Sequence, residues 1–246
     1  MTVIALVGKG GVGKSTIASQ IVRRLSKIDT VLAVDADPNS NLCDKLGIEV
    51  KGSIGELRDE IIADPAKVPE GLSKQQYVSE RVERAISETD SVDLLVMGRP
   101  EGEGCYCFIN TALKESFVRL IPGYGYTVVD NEAGMEHMSR KVLPHADVFI
   151  FVSDPTVTGI KTAERLSDLA DDVGIVMDRK ILIVNNVSSK LSDKLNRAAK
   201  ESGFSEVMTF PYEEYISESA MESEELDVPE DTGFGKALTE LLKVII

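Results

Sequence analysis

Long hydrophobic runs are absent from this sequence. No apolar stretch approaches the roughly 20 residues needed to cross a bilayer, and the segment from Met1 to Val7 is too short and uncharged for a secretory signal. Basic charge is also scarce, because 41 acidic residues against 27 basic ones give a formal net charge of −14. Such a charge repels a polyanion unless a local basic patch overrides it. We therefore expect a cytoplasmic protein that binds no nucleic acid.

Cysteine is rare as well, with 3 residues at Cys43, Cys105 and Cys107. These are too few for a disulfide framework, which leaves metal binding or redox chemistry as their use, if they have one. Internal repeats and low-complexity linkers are also missing. Because 246 residues can bury one large core, we predict a single domain over residues 1–246.

A phosphate-binding motif follows the first apolar run, which extends from Val3 to Val7. Gly8, Gly13, Lys14 and Ser15 fit the spacing G-x-x-x-x-G-K-[ST], in which glycines let backbone N–H groups surround a phosphate chain at a helix N-terminus. Lys14 would reach the terminal phosphates and Ser15 would bind magnesium. The predicted nucleotide-binding residues of this loop are Gly8, Gly10, Gly11, Val12, Gly13, Lys14, Ser15 and Thr16.

Apolar runs alternate with helical patterns along the rest of the chain. The runs lie at residues 30–35, 92–97, 126–129, 148–152, 181–184 and 207–210, and the helical patterns include 14–26, 54–62, 78–86, 160–173, 191–199 and 234–246. Short continuous apolar runs between helices predict buried parallel strands. The expected fold class is therefore α/β, with a mostly parallel twisted sheet of about seven strands, helices on both faces and ligands at the carboxyl ends of the strands.

An additional lysine distinguishes this loop from an ordinary phosphate-binding loop. With Lys9 at its second position and Gly10-Gly11 behind it, the segment resembles the deviant Walker A P-loop ATPases, the family of nitrogenase reductase and the division-site positioning ATPases. The resemblance implies ATP hydrolysis by a homodimer in which Lys9 contacts the partner's phosphates, as an arginine finger supplied in trans does. The alternative is a lysine solvated beside the loop.

The segment from Asp35 to Asn41 resembles the first switch of this family. The resemblance implies that Asp37 orients the attacking water and that Asp35 supports the metal shell. An Asx turn that ends the strand is the alternative interpretation. The γ-phosphate would order and rearrange such switch segments, so that the conformation of the protein depends on which nucleotide is bound.

The segment from Asp130 to Gly134 resembles the second switch of this family, D-x-x-x-G. The resemblance implies that Asp130 holds magnesium through water and that the backbone N–H of Gly134 approaches the γ-phosphate. Glu132 is a second candidate for water chemistry and ranks below Asp37.

The resemblance also implies a site for the adenine base. In this family, the base is contacted by an asparagine that follows a late strand and by a proline-containing loop that follows the last strand. The corresponding residues here are Asn185 and Pro211-Tyr212-Glu213. Asn186 is the lower-ranked alternative to Asn185. Asparagine and proline are also ordinary turn residues after strands.

The pair Cys105 and Cys107 is the second strong motif. In an extended segment residues i and i+2 point to the same face, so both thiols could meet one soft metal ion. Two thiolates do not complete a tetrahedral site, but a twofold axis could supply two more. The alternative is a pair of small buried hydrophobes, which is also what we expect for Cys43.

Cys105-Tyr106-Cys107 and the second switch, followed by Met135-Glu136-His137, resemble the CooC-type nickel-insertion ATPases that mature carbon monoxide dehydrogenase. The resemblance implies Ni²⁺, with Zn²⁺ able to replace it, at the dimer interface, and an apo nickel enzyme such as carbon monoxide dehydrogenase as partner. A rival hypothesis is a spatial-positioning ATPase switch on a membrane or nucleoid. The carboxyl-terminal segment from Lys236 to Ile246 could dock on the sheet as easily as on lipid.

Overall fold

The computed structural model describes residues 1–37, 41–64, 67–98, 107–132, 145–222 and 225–246. The strands in this part of the chain are β1 (Thr2–Gly8), β2 (Val31–Ala36), β3 (Ser87–Glu88), β4 (Val92–Val96), β5 (Tyr126–Asn131), β6 (His145–Ser153), β7 (Val176–Val187) and β8 (Glu206–Pro211). The helices are α1 (Lys14–Leu25), α2 (Asn41–Leu46), α3 (Ile54–Ala63), α4 (Lys74–Ala85), α5 (Cys107–Leu120), α6 (Val157–Asp172), α7 (Asp193–Glu201), α8 (Glu214–Glu222) and α9 (Gly233–Ile245).

One sheet contains all of these strands, in the order β3-β4-β2-β5-β1-β6-β7-β8. Every neighbouring pair is parallel except β3 with β4. The predicted α/β fold with a mostly parallel sheet is thus confirmed. The strand in excess of the seven predicted is β3, which has two residues and is too short for an apolar pattern to reveal it.

The central position of β1 determines where the phosphate-binding loop lies. β1 pairs with β5 on one side and with β6 on the other. Leu6 lies opposite Asp130, and Gly8 lies opposite Val152. The loop after β1 therefore meets the carboxyl ends of both neighbours, as expected for a site at this edge of a parallel sheet.

Helices cover both faces of the sheet. Alternate residues of β1 contribute to opposite apolar clusters, with Val3, Ala5 and Val7 in one and Ile4 and Leu6 in the other. Residues of α3, α4, α5, α6 and α7 complete the first cluster, and residues of α1, α2 and α9 complete the second. Burial on both faces explains why the strands are continuous apolar runs and not alternating patterns.

The carboxyl-terminal helix α9 docks on the sheet. Phe234, Leu238, Leu241 and Ile245 are buried in the second cluster, and the ring of Phe234 meets that of Phe210 edge-on at 4.9 Å. The apolar stripe of α9 is therefore already covered. Among the helices of the described residues, none has the length and apolarity that a membrane crossing would require.

Three further buried side chains belong to this second cluster. Cys43 is 8% exposed and lies in the core, which confirms the prediction for this residue. Leu226 and Val228, which precede α9, are also buried in this cluster beside residues of α1.

Candidate nucleotide-binding site

The loop between β1 and α1 passes too close to its neighbours for side chains at two glycines. A Cβ on Gly8 would lie 2.3 Å from the carbonyl oxygen of Val152, which is backbone of β6. Gly13 has a left-handed φ of 93°, and a Cβ there would lie 2.4 Å from Nδ2 of Asn185. Gly13 also precedes the first residue of α1, Lys14, without a side-chain cap. The helix N-terminus is therefore open toward the loop, as an anion site requires.

The two lysines of the loop have different surroundings. Lys9 is exposed, as are Gly10 and Gly11 behind it. Lys14 is only 6% exposed, and its Nζ donates a hydrogen bond to the carbonyl oxygen of Lys9 at 3.2 Å. Burial lowers the pKa of Lys14, and the negative charges of two nearby aspartates act in the opposite direction. Lys14 thus faces the interior of the site, whereas Lys9 is accessible to another molecule.

Three aspartates meet at the carboxyl ends of β2 and β5. The strand register places Asp35 opposite Asp130, and both side chains are fully buried. Asp37 follows β2 and is half-buried. Burial raises the pKa of Asp35 to about 6, although its carboxylate accepts hydrogen bonds from the backbone N–H groups of Leu42 at 2.9 Å and Asp37 at 3.1 Å. Asp130 is far from Asp35 and Asp37 in the sequence, and the parallel pairing of β5 with β2 brings it to them.

Compared with Asp35, Asp130 has fewer hydrogen bonds to stabilise its charge among the described residues. Neither of its carboxylate oxygens has a hydrogen-bond partner among the described residues. Burial raises the pKa of Asp130 to about 7, and the nearby Ser15 hydroxyl lowers it without the geometry of a full hydrogen bond. The charge of Asp35 raises this pKa further, and that of Lys14 lowers it. A buried carboxylate with free lone pairs beside a serine hydroxyl is a donor set that Mg²⁺ prefers, so these residues fit a magnesium site.

A cavity of about 270 Å³ opens beside the loop at the end of β7. Its lining consists of Gly11, Gly13, Thr16, Asn185, Asn186, Pro211, Glu213, Ile216, Ser217 and Phe234. The buried Asn185 donates from Nδ2 to the carbonyl oxygen of Val12 at 2.8 Å, while its Oδ1 has no partner among the described residues. The mixture of apolar walls with one buried amide fits a planar heterocycle next to a phosphate site.

Most of the residues predicted to contact the base lie at this cavity. Asn185, Asn186 and Pro211 line it, but Tyr212 is 45% exposed and is not among the lining residues. Ile216 and Phe234 complete the cavity from α8 and α9. No local motif identifies those two residues, because in sequence they are ordinary members of helical apolar patterns.

The cysteine prediction needs a correction at one of its two residues. Cys105, Gly134 and His137 lie outside the described residues. Helix α5 begins at Cys107, so this residue is helical. A shared face for residues i and i+2 requires an extended segment, and Cys107 itself is not extended. Because Cys105 and Tyr106 lie outside the described residues, the shared face stays a prediction.

One group of side chains with the geometry to hold a metal ion was not predicted from the sequence. His145 and Asp147 of β6 and Asp178 of β7 place one ligand atom each within 4.8 Å of one another. Asp147 accepts a hydrogen bond from the backbone N–H of Val3 at 2.6 Å, and His145 lies 3.2 Å from Asp178. These contacts tie the amino ends of neighbouring strands together, at the edge of the sheet opposite the phosphate-binding loop.

The parallel sheet, the glycine-rich loop after its central strand and the acids at the adjacent strand ends define an α/β P-loop ATPase. The family described as CbiA, the CobQ/CobB/MinD/ParA nucleotide-binding domain, matches residues 3–226. The chain belongs to this family, and its enzymatic activity is ATP hydrolysis. The expected relationship to the division-site positioning ATPases is therefore confirmed at the level of the family.

Three individual proteins illustrate the relationship. An uncharacterised ATP-binding protein of Methanocaldococcus jannaschii is 36% identical over 99% of this chain and 98% of its own length. The carbon monoxide dehydrogenase accessory protein CooC of Rhodospirillum rubrum is 32% identical over 70% of each chain. The solved structure of the MinD cell division protein of Aquifex aeolicus superposes with a TM-score of 0.71 at 21% identity, covering 99% of this chain and 97% of that one.

Proposed function

We propose that this ATPase is a cytoplasmic metallochaperone. Its nucleotide-driven homodimer binds nickel, or zinc in its place, through Cys105 and Cys107, and helps to insert nickel into carbon monoxide dehydrogenase or a related nickel enzyme. The observation that carries this proposal is the combination of the Cys-x-Cys motif with 32% identity to a carbon monoxide dehydrogenase accessory protein over 70% of the chain. We also propose that residues 1–246 act as one domain, since both apolar clusters share one sheet.

The buried residues of the site divide the tasks of ATP binding and hydrolysis. Backbone N–H groups of the loop and the ammonium group of Lys14 bind the phosphates. Ser15 and Asp130 would hold magnesium and Asp35 would support its ligand shell, and the charge of the bound ion would offset that of the phosphates. Asp37 is half-buried, and it lies near enough to Lys14 for its charge to raise the pKa of that lysine. We assign to Asp37 the role of orienting the attacking water.

The exposed residues of the site serve a second protomer. Lys9 is exposed, while its own carbonyl oxygen is held by Lys14, so the loop can present the Lys9 side chain outward. Two protomers related by a twofold axis would bring four cysteine sulfurs to one ion, a number that suits a closed tetrahedral site. A difference in metal affinity between the ATP-bound and ADP-bound dimers would drive release to the client.

Metal stoichiometry tests the cysteine site directly. We expect the ATP-loaded protein to bind one nickel or zinc ion per dimer and the double variant Cys105→Ala/Cys107→Ala to bind none there. Cys43→Ala is the matched control, because Cys43 lies in the core and its burial raises its pKa to about 11, so its thiolate is scarce near neutral pH. Unchanged stoichiometry in the double variant would place the metal elsewhere and contradict the proposal.

Client delivery is measured separately. Purified apo carbon monoxide dehydrogenase is incubated with the nickel-loaded protein and ATP, and enzyme activity is followed. We expect activation by the wild-type protein and none by the cysteine double variant. Equal activation by free nickel and by the loaded protein would exclude a chaperone role for this client.

The alternative function is a spatial-positioning switch, since MinD and ParA are two of the four names in the description of the family. This function needs a surface that seeks membrane or nucleoid. The apolar face of α9 is covered by the sheet, which disfavours that helix as a membrane anchor. Sedimentation with anionic liposomes in the presence of ATP separates the two functions, since the metallochaperone should stay in the supernatant.

A further inference from the structure

The carboxyl end of α2 is held by the helix that begins at the phosphate-binding loop. Nη2 of Arg23 in α1 donates to the carbonyl oxygens of Lys45 at 3.1 Å and Leu46 at 3.2 Å. The last carbonyl groups of a helix have no partner within it, and a cation there is favoured by the helix dipole. Arg23 therefore satisfies two acceptors that α2 leaves free.

The amino end of α2 is held by the first switch. The backbone N–H of Leu42 donates to Oδ2 of Asp35 at 2.9 Å. Helix α2 has only six residues, which is too short for a stable helix without tertiary contacts. Burial of Leu42, Cys43 and Leu46 packs α2 against the second cluster. The contacts with Asp35 and Arg23 hold its two ends.

A segment from the carboxyl-terminal part of the chain orients the arginine. Glu225 lies 2.7 Å from Nη2 of Arg23, and the backbone N–H of Leu226 donates to the carbonyl oxygen of Lys45 at 3.3 Å. Gly47, which follows α2 with a left-handed φ of 68°, leaves room for Glu225, because a Cβ there would lie 2.8 Å from the Glu225 carboxylate. Since Glu225 is 61% exposed, the ion pair stabilises the fold little and serves mainly to aim the guanidinium group.

We infer that Arg23 is a positioning residue for ATP hydrolysis. By anchoring the carboxyl end of α2, it keeps Asp35 and Asp37 of the first switch in register with the phosphate-binding loop from which α1 begins. Arg23 acts through α2 and touches neither the loop nor the aspartates in the contacts above. Its loss should therefore lower kcat and leave the KM for ATP nearly unchanged. The inference depends on the ATPase activity alone and is independent of any metal cargo.

The neighbouring Arg24 offers a matched control on the same helix. Its Nη2 donates to the carbonyl oxygen of Val228 at 2.8 Å, and its Nη1 pairs with Glu230. Both partners belong to the same carboxyl-terminal segment, and neither belongs to α2. Replacing Arg24 therefore disturbs that segment without removing the anchor of α2.

The experiment compares steady-state ATP hydrolysis by Arg23→Gln, Arg23→Lys and Arg24→Gln, with urea unfolding as a check on folding. We expect Arg23→Gln to lower kcat about tenfold with KM within about twofold, because binding is retained and switch geometry is lost. Arg23→Lys keeps a cation near the carbonyl groups and should recover part of kcat. Arg24→Gln should hydrolyse ATP at close to the wild-type rate.

Hydrogen exchange provides a readout that a general loss of stability would not reproduce. The amides of α2 should exchange faster in Arg23→Gln than in Arg24→Gln, even when the two variants have similar unfolding free energies. Equal kcat values for Arg23→Gln and the wild type would overturn the inference. A similar fall in kcat for both glutamine variants would also overturn it, since that result assigns the effect to the carboxyl-terminal segment. If Arg23→Gln fails to fold, Arg23→Lys provides the test. A kcat and an α2 exchange rate equal to those of the wild type would refute the role of Arg23 as an anchor of α2. Values between those of the wild type and a complete loss would support it.

Discussion

Substitution of Asp130 by asparagine should stabilise the protein in the absence of metal and nucleotide. The carboxyl group is fully buried, its oxygens have no hydrogen-bond partner among the described residues, and its pKa is raised from 3.8 to about 7. The folded state therefore binds this proton more tightly than the unfolded state does. The stability that Asp130 contributes is complete below the unfolded pKa and is lost as the pH rises toward 7.

The magnitude follows from the two pKa values. A difference of about three powers of ten corresponds to about 4 kcal/mol for ionising Asp130 in the folded state. About half of this cost is already present at about pH 5.5, and the rest develops by about pH 8. Asparagine imitates the neutral acid at every pH. The difference in unfolding free energy between the variant and the wild type should therefore be larger by about 2 kcal/mol at about pH 8 than at about pH 5.5.

Urea unfolding at the two pH values, with chelator and without nucleotide, measures this difference. Asp168→Asn, at an exposed position of α6, is the control and should give the same small difference at both pH values. Because asparagine is neutral, the Asp130 variant should also lose magnesium-dependent ATP hydrolysis. Parallel stability curves for the Asp130 variant and the wild type would refute the assignment of a buried, uncompensated carboxylate at this position.

Three further predictions test the site and its supports. Gly8→Ala should abolish nucleotide binding in an equilibrium assay, because its Cβ would lie 2.3 Å from the Val152 carbonyl oxygen; normal binding of a fluorescent ADP would contradict this close approach. Asn185→Ala should weaken binding of that ADP and lower unfolding stability by about 1 kcal/mol, since the hydrogen bond to the Val12 carbonyl is lost; no change in either quantity would exclude this contact. Ser53→Ala should cost about 1 kcal/mol in urea unfolding without changing kcat, because it removes the capping box of α3, and a large loss of activity would reveal a role in the site.

The nucleotide site could be predicted where its geometry is local. The glycines, Lys14 and Ser15 are adjacent in the chain, and a strand before them with a helix after them is enough to orient the loop. Asp35 and Asp130 could be predicted as well, because each ends an apolar run and the carboxyl ends of parallel strands share one edge. Their pairing across β2 and β5 depends on strand order, and the burial that raises their pKa values depends on tertiary packing; no local pattern encodes either.

The cysteine motif shows the opposite situation. Spacing alone suggested an extended pair, but whether residues i and i+2 share a face depends on the backbone, and Cys107 is already the first residue of α5. Tyr212 likewise follows the predicted strand and still does not line the base cavity. A residue type at a given interval indicates which chemistry is available, while the direction of the side chain depends on the element that carries it.

The sequence by itself determined the class of this protein, because hydrophobic periodicity and the glycine spacing are properties of short segments whose conformations follow from local sterics and burial. Tertiary structure decided the features that depend on contacts between distant parts of the chain. These are the central place of β1, the two-residue strand β3, the cavity closed by α8 and α9, and the anchoring of α2 by Arg23, which Glu225 orients. These last two residues are 202 positions apart in the sequence. Contacts over such separations depend on how the helices pack on the two faces of the sheet. The local sequence around either residue therefore does not predict that their side chains will meet.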